Sequence, residues 1–174
     1  MVTYTKCRKT IHRFLRADRI GAIGHISCVD RRLCAPGSSD DNLLAEGASQ
    51  LTEICDLLGH TPASVTARTT HNDRAISLQV FLRLDEQIGI HYFATFDDDP
   101  CGHQLWIEGS SGSLRTDGNS VWWRKRGWPK FLPARIGLFG ARSKSSAQHA
   151  LNEELAQAIV NSASCRETVR MAPT

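Results

Sequence analysis

Between residues 118 and 152 the chain carries Arg124, Lys125, Arg126, Lys130, Arg135, Arg142 and Lys144 without an Asp or Glu, and Trp122, Trp123 and Trp128 are set among them. Guanidinium and ammonium groups beside exposed aromatic faces suit sugars, phosphates or single-stranded nucleic acid. Trp122, Trp123, Arg124, Arg126 and Trp128 are therefore the candidates for ligand contact. The plainer reading, and the expected one, is a strand with one Trp buried and a solvated basic loop after it.

His91, Cys101 and His103 could approach one another across a sheet, but zinc needs three or four converging ligands. The expectation is a sheet histidine and a Cys-x-His loop without metal. Gly21-Ala-Ile-Gly24 and Gly137-Leu-Phe-Gly140 are isolated GxxG matches, with no strand–GxGxxG–helix unit around either. A Gly-x-Ser-x-Gly nucleophile elbow is missing, and Gly47-Ala48-Ser49 falls on a helical pattern. No metal or nucleotide cofactor is expected to be bound by this chain alone.

With 174 residues, 41% of them apolar and 22% charged, the chain suits one soluble domain, residues 1–174, with a core of its own. A net charge of +3 is too small by itself to argue for nucleic acid, which is not an expected partner. No apolar run of about 18 residues predicts a membrane span, so no membrane partner is expected. The basic start MVTYTKCRKTIHRFLR has no apolar core of a secretory signal, and a cytoplasmic location is the default expectation. The cysteines at 7, 28, 34, 55, 101 and 165 form no CxxC pair, and reduced, partly buried thiols are expected.

The elements that must position these residues follow from periodicity. Ile11, Phe14 and Leu15 predict a short basic amphipathic helix over 8–18. A turn at Gly21 and Gly24 leads into a strand from Ile23 to about Arg31. Leu44, Ala48, Leu51, Cys55 and Leu58 form an apolar stripe that predicts a helix from Asn42 to Leu58, ended by Gly59. The period then changes to two: PASVTARTT, AISLQVFLRL, IGIHYFATF, QLWIEG, GSLRTD and SVWWRKR read as strands, with hairpin signals at Gly-Ser-Ser-Gly and Asp-Gly-Asn. Residues 127–144 read as irregular, and a last helix is expected over about 145–164. The fold class expected is α+β: a predominantly antiparallel sheet of about six to seven strands with helices packed on one face.

The order of elements and several motifs resemble the C-terminal domain of Gfo/Idh/MocA-type sugar oxidoreductases. DRIGAIGHISCVD is similar to that family's G-x-I-G entry strand, and LLAEGASQLTEICDLLGHTPASVTAR to its long helix. QLWIEGSSGSLRTDG is similar to its hairpin, and AQAIVNSASCRETVRM to its closing helix and last strand. The likeness runs over about residues 9–171 and is poor between Gly127 and Gln148.

The resemblance implies an NAD- or NADP-binding Rossmann domain on the N-terminal side, and nothing in these residues supplies one. It also implies an Asp and a His four residues apart on the long helix, where the His takes the hydroxyl proton during hydride transfer. Those positions fall on Ala45 and Ser49. Alanine cannot titrate, and an unassisted serine is a poor base. Thr52 and Asp56 continue the same small polar face and are candidates for ligand contact.

Three functions follow as expectations. The chain is a binding or assembly domain without catalysis of its own. Alternatively, it is the substrate half of a split enzyme whose separate Rossmann chain brings NAD(P). As a third reading, it is a basic ligand- or nucleic-acid-binding module acting through residues 118–144. The family buries the open face of its sheet against another subunit, so a homo-oligomer through the sheet is expected. Phe81, Tyr92, Phe96 and Trp106 are candidates for that surface.

Overall fold

The computed structural model describes residues 4, 6–33, 39–72, 75–84, 87–97, 102–134, 146–165 and 169–170. In chain order the elements are α1 (Arg8–Arg16), β1 (Ile23–Leu33), α2 (Asp40–Leu58), β2 (Ser64–Asn72), β3 (Ala75–Arg83) and β4 (Gly89–Asp97), then β5 (Gly102–Gly109), β6 (Gly112–Thr116), β7 (Val121–Lys125), β8 (Leu132–Ala134), α3 (Ser146–Cys165) and β9 (Val169–Arg170). The nine strands form one sheet in the order β8-β7-β6-β5-β1-β4-β3-β2-β9.

Two antiparallel meanders, β2–β4 and β5–β8, are joined through β1, which lies between them. β1 runs parallel to β4 and antiparallel to β5. The sheet is thus mostly antiparallel, but it has nine strands among the described residues where about six to seven were expected. The surplus is β8, inside a stretch expected to be irregular, and β9, which only the family resemblance implied. A three-residue and a two-residue strand hold too few side chains to show a period of two.

Register explains which side is covered. Val80, Tyr92, Cys28, Leu105, Thr116 and Val121 are cross-strand neighbours in one continuous row, and all are buried. The row one residue along, Phe81, His91, Ser27, Trp106, Arg115 and Trp122, stands on the opposite face. All three helices lie on the first face. α2 packs over β3 and β4 and α3 over β2. α1 covers the other end, where Phe14 meets Trp123 at 5.5 Å between ring centroids.

The alternation corrects the assembly candidates. Tyr92 and Phe96, 0% and 6% exposed, point into the helix-covered core. Phe81, 52% exposed, and the half-buried Trp106 are on the open face.

α2 starts two residues before the apolar pattern suggested, because Ser39 caps it: its Oγ accepts the Asn42 N–H at 3.3 Å. Asp40 and Asp41 in the first turn complement the helix dipole. Gly59, at φ 72°, ends it as expected, and the Gly59 and His60 N–H groups both reach the Cys55 carbonyl. The stripe Leu44, Ala48, Leu51, Cys55 is buried, with Leu58 partly so. Leu43, Gly47, Gln50, Ile54 and Leu57 are buried as well, so α2 is enclosed on far more than one stripe. At Gly47 a Cβ would come within 2.7 Å of Leu78 and 3.2 Å of Tyr92, which shows how closely the helix lies on the sheet.

Candidate functional site

The small polar row of α2 turns away from the sheet. Gly47 faces the strands, and Ala45, Ser49 and Asp56 lie on the far side of the helix from it. Ala45 is exposed and Ser49 half-buried. Further along, the row is closed over. Thr52 is buried, donates its hydroxyl to the Ala48 carbonyl at 2.8 Å, and has Asn152 Oδ1 of α3 at 3.3 Å. Asp56 is ion-paired with Arg8 of α1 at 2.6 Å. Two of the four positions thus hold neighbouring helices together. The outward pair, Ala45 and Ser49, brings no titratable side chain to the surface.

Between α2, Tyr4 and the inward face of β1 and β5 lies a polar chain of which the sequence had singled out His103 alone. The Tyr4 hydroxyl is 2.5 Å from His103 Nε2 and 3.7 Å from Cys28 Sγ. On the other side of the imidazole, Asp30 Oδ1 stands 3.9 Å from Nδ1, beyond hydrogen-bond range. Asp30 is engaged at 2.5 Å by Arg32, whose guanidinium also donates to Glu46 of α2. The Tyr4 N–H donates to Glu53 Oε1 at 2.7 Å, fixing the segment to α2 from its backbone as well.

The strands explain why these groups meet. Asp30 and His103 occupy inward positions in β1 and β5 and are direct cross-strand partners. Tyr4, Cys28, Asp30 and His103 are all nearly inaccessible. Burial pushes the Cys28 thiol up to about 12, and it also raises the Tyr4 phenol well above its ordinary value. Burial lowers the His103 pKa, aided by Arg32 and opposed by Asp30, so the imidazole is neutral at pH 7. A neutral ring that accepts the Tyr4 O–H at Nε2 carries its own proton on Nδ1, directed at Asp30. Tyr4, Cys28, Asp30 and His103 are buried, whereas Arg32 and Glu46 at the end of the chain are partly exposed. The buried part has the residue types of a proton relay, and among the described residues its four side chains are each at most 5% exposed.

The remaining candidates are dispersed by the sheet. His91 stands on the open face and His103 on the covered one, so the two cannot share a metal ion; Cys101 lies outside the described residues. Among the described residues no three His, Cys, Asp or Glu side chains are grouped as metal ligands. Cys7, Cys28 and Cys55 are buried free thiols. Gly137–Gly140 lie outside the described residues. No helix among those described is long and apolar enough to cross a membrane.

The Trp/Arg segment is split by the pleat of β7. Trp122 and Arg124 are on the open face, where Arg115 lies 5.9 Å over the Trp122 ring and Arg124 4.8 Å over Phe131. Trp123 turns to the helical side, against Phe14 and, at 5.9 Å, against Trp128. Arg126 is exposed and holds the Ser110 carbonyl at 3.1 Å. The five residues do not form one patch.

No known family profile and no curated protein matches the chain. Solved structures do. An aldose-aldose oxidoreductase from Caulobacter crescentus, complexed with glycerol, superposes with a TM-score of 0.67 at 13% identity, over 97% of this chain and 61% of that one. An NAD binding oxidoreductase from Klebsiella pneumoniae gives 0.72 at 14% identity, over 99% and 66%. An oxidoreductase from Agrobacterium radiobacter, in complex with NAD+, L-tartaric acid and magnesium, gives 0.72 at 16%, over 96% and 62%. The likeness is one of fold. The resemblance read from the motifs agrees with these oxidoreductases in fold and in the share of each chain covered. The chain spans between 61% and 66% of the length of these proteins, so each of them has a further part that it does not overlap.

Proposed function

We propose that this chain is an assembly and binding domain derived from a sugar oxidoreductase, with no catalysis of its own. The observation that carries the reading is the outward pair on α2: where the resembled family has its Asp and His, this fold presents Ala45 and Ser49. No general base stands there to take a hydroxyl proton. The assembly role is supported by the open sheet face. Phe81 is stacked on His91 at 4.4 Å and Trp106 meets Phe131 edge-on at 5.4 Å, which leaves an aromatic surface on that side of the sheet. His91 Nε2 and Trp106 Nε1 are shielded on this face without a hydrogen-bond partner among the described residues. Shielded polar atoms are normally paired, and an apposed copy would supply partners.

Sedimentation tests the assembly role. A dimer at tens of micromolar that becomes a monomer on Phe81→Glu is expected; a wild-type monomer would remove the role. Calorimetry tests the absence of catalysis. NAD and NADP are expected not to bind, and saturable micromolar binding of either would overturn the reading.

A further inference from the structure

We propose that the surface shared by α1 and the end of β7 binds single-stranded nucleic acid, with phosphates on its cations and a base on Trp128. The net charge of +3 gave no reason to expect this, because the cations that matter are far apart in sequence and folding brings them together.

The first half of the surface is α1. Its apolar side is turned inward: Thr10 and Ile11 are buried, and Phe14 packs on Trp123. The outward side carries Lys9, His12, Arg13 and Arg16, which with Ala17 line a shallow, open hollow on the surface. On α2, Asp56 is ion-paired with Arg8 at 2.6 Å. Burial first, and then the nearby Arg8 and Arg16, lower the His12 pKa against the opposing pull of Asp56.

The second half is the end of β7, joined to the first through a hairpin turn. The Ile20 carbonyl accepts the N–H groups of Ser111 and Gly112, at 2.8 and 3.2 Å. Ser111 returns its carbonyl to the Arg126 N–H at 2.9 Å, and Gly112 is the cross-strand partner of Lys125. Arg19, Lys125 and Arg126 are thereby gathered round one turn. Lys125 shares the helical side of the strand with Trp123. The Trp128 N–H donates to the Lys125 carbonyl at 3.0 Å, and its ring, 45% exposed, lies against Trp123. Within residues 6–19 and 121–134, Asp18 is the one carboxylate.

The arrangement selects its ligand. Cations spread along a helix and onto a neighbouring turn match a chain of phosphates better than one anionic group. An exposed indole set among them adds a stacking surface, which needs an unpaired base. A lipid surface fits poorly, since the apolar side of α1 is already spent on the core and cannot enter a bilayer.

Fluorescence anisotropy with a labelled oligothymidylate of about twelve nucleotides, at about 50 and about 200 mM salt, tests the proposal. Saturable binding that weakens with salt is expected. Arg13→Gln with Arg16→Gln should flatten the plot of log K against log salt by about 1.4, two single-strand phosphate contacts. Trp128→Ala should weaken binding roughly 5- to 150-fold, the loss of one stacked base, and Trp128→Phe should restore most of it. All three side chains are exposed, so the variants keep the fold. No saturable binding below about 100 µM at the lower salt would overturn the proposal. So would an unchanged affinity in Trp128→Ala, equal binding of a duplex, or binding confined to phosphatidylserine vesicles.

Discussion

Removing the Tyr4 hydroxyl tests whether the polar chain from Tyr4 to Glu46 anchors the N-terminal segment. Tyr4→Phe keeps the ring and its packing, but leaves His103 Nε2, which stood 2.5 Å from the hydroxyl, facing a methine; with the ring proton on Nδ1 toward Asp30, Nε2 is then a bare acceptor. The imidazole cannot adapt by moving its proton to Nε2, because a bare Nδ1 would then face the Asp30 carboxylate 3.9 Å away. A buried acceptor left unpaired costs about 1–3 kcal/mol. For a chain of this length that lowers the melting midpoint by roughly 2–12 °C. Tyr4→Phe with His103→Leu removes both partners and should cost less than the two single changes summed, a coupling of about 0.5–3 kcal/mol. The same imidazole gives the chain a pH dependence. Its folded pKa is lowered, so unfolding takes up a proton between that value and the ordinary one near 6.5. Its contribution is therefore full above about 6.5 and is lost as pH falls through the folded value, by at most about 1.4 kcal/mol per unit. His12 and His91 are lowered too and act in the same direction, so His103→Gln should flatten the acid side of the curve in part only. Urea and thermal melts from pH 7.5 to 5 give both readouts. A Tyr4→Phe cost below about 0.5 kcal/mol, or an acid limb unaffected by His103→Gln, would refute the anchoring argument.

Ala45→Asp with Ser49→His should change stability by less than about 0.5 kcal/mol and create no dehydrogenase activity; a large fall in the melting midpoint would mean that the pair is packed, not outward. Leu51→Ala, in the fully buried stripe of α2, should cost roughly 2–5 kcal/mol by denaturant melt. Gly47→Ala should also destabilise, although alanine is the better helix former by about 1 kcal/mol, because its Cβ meets the buried Leu78 at 2.7 Å. A gain in stability at that position would mean that the helix stands farther from the sheet.

What the sequence made legible depends on how local the cause is. The stripe from Leu44 to Cys55, the Gly59 stop and the alternating runs of β2 to β7 are local patterns, and each element stands where its pattern put it. The pairing of β1 with β4 and β5 is not local, and no periodicity within a strand records its neighbours. The four aromatic candidates were divided by register alone: a shift of one residue would exchange Phe81 for Val80 on the open face. The Trp/Arg segment misled for a similar reason. Adjacency in sequence suggested one patch, whereas adjacency in a strand means opposite faces. Asp30 and His103 left a faint signal as polar residues at inward positions of otherwise apolar alternations. Their meeting, like that of α1 with β7, could be read only once the strands were paired.

The central place of β1 has a consequence for how the chain acquires its structure. Its partners in β4 begin at Gly89 and those in β5 at Gly102, so a ribosome has released β1 long before either neighbour exists. Until then both of its edges offer unpaired N–H and C=O groups, with Ile26 and Cys28 uncovered between them. The hairpins of β2–β4 and β5–β8 can close early because their contacts are near in sequence. Insertion of β1 joins residues some tens of positions apart and is the expected slow step. Nascent chains halted before β5 would therefore be the species that aggregates, and the species a chaperone would hold.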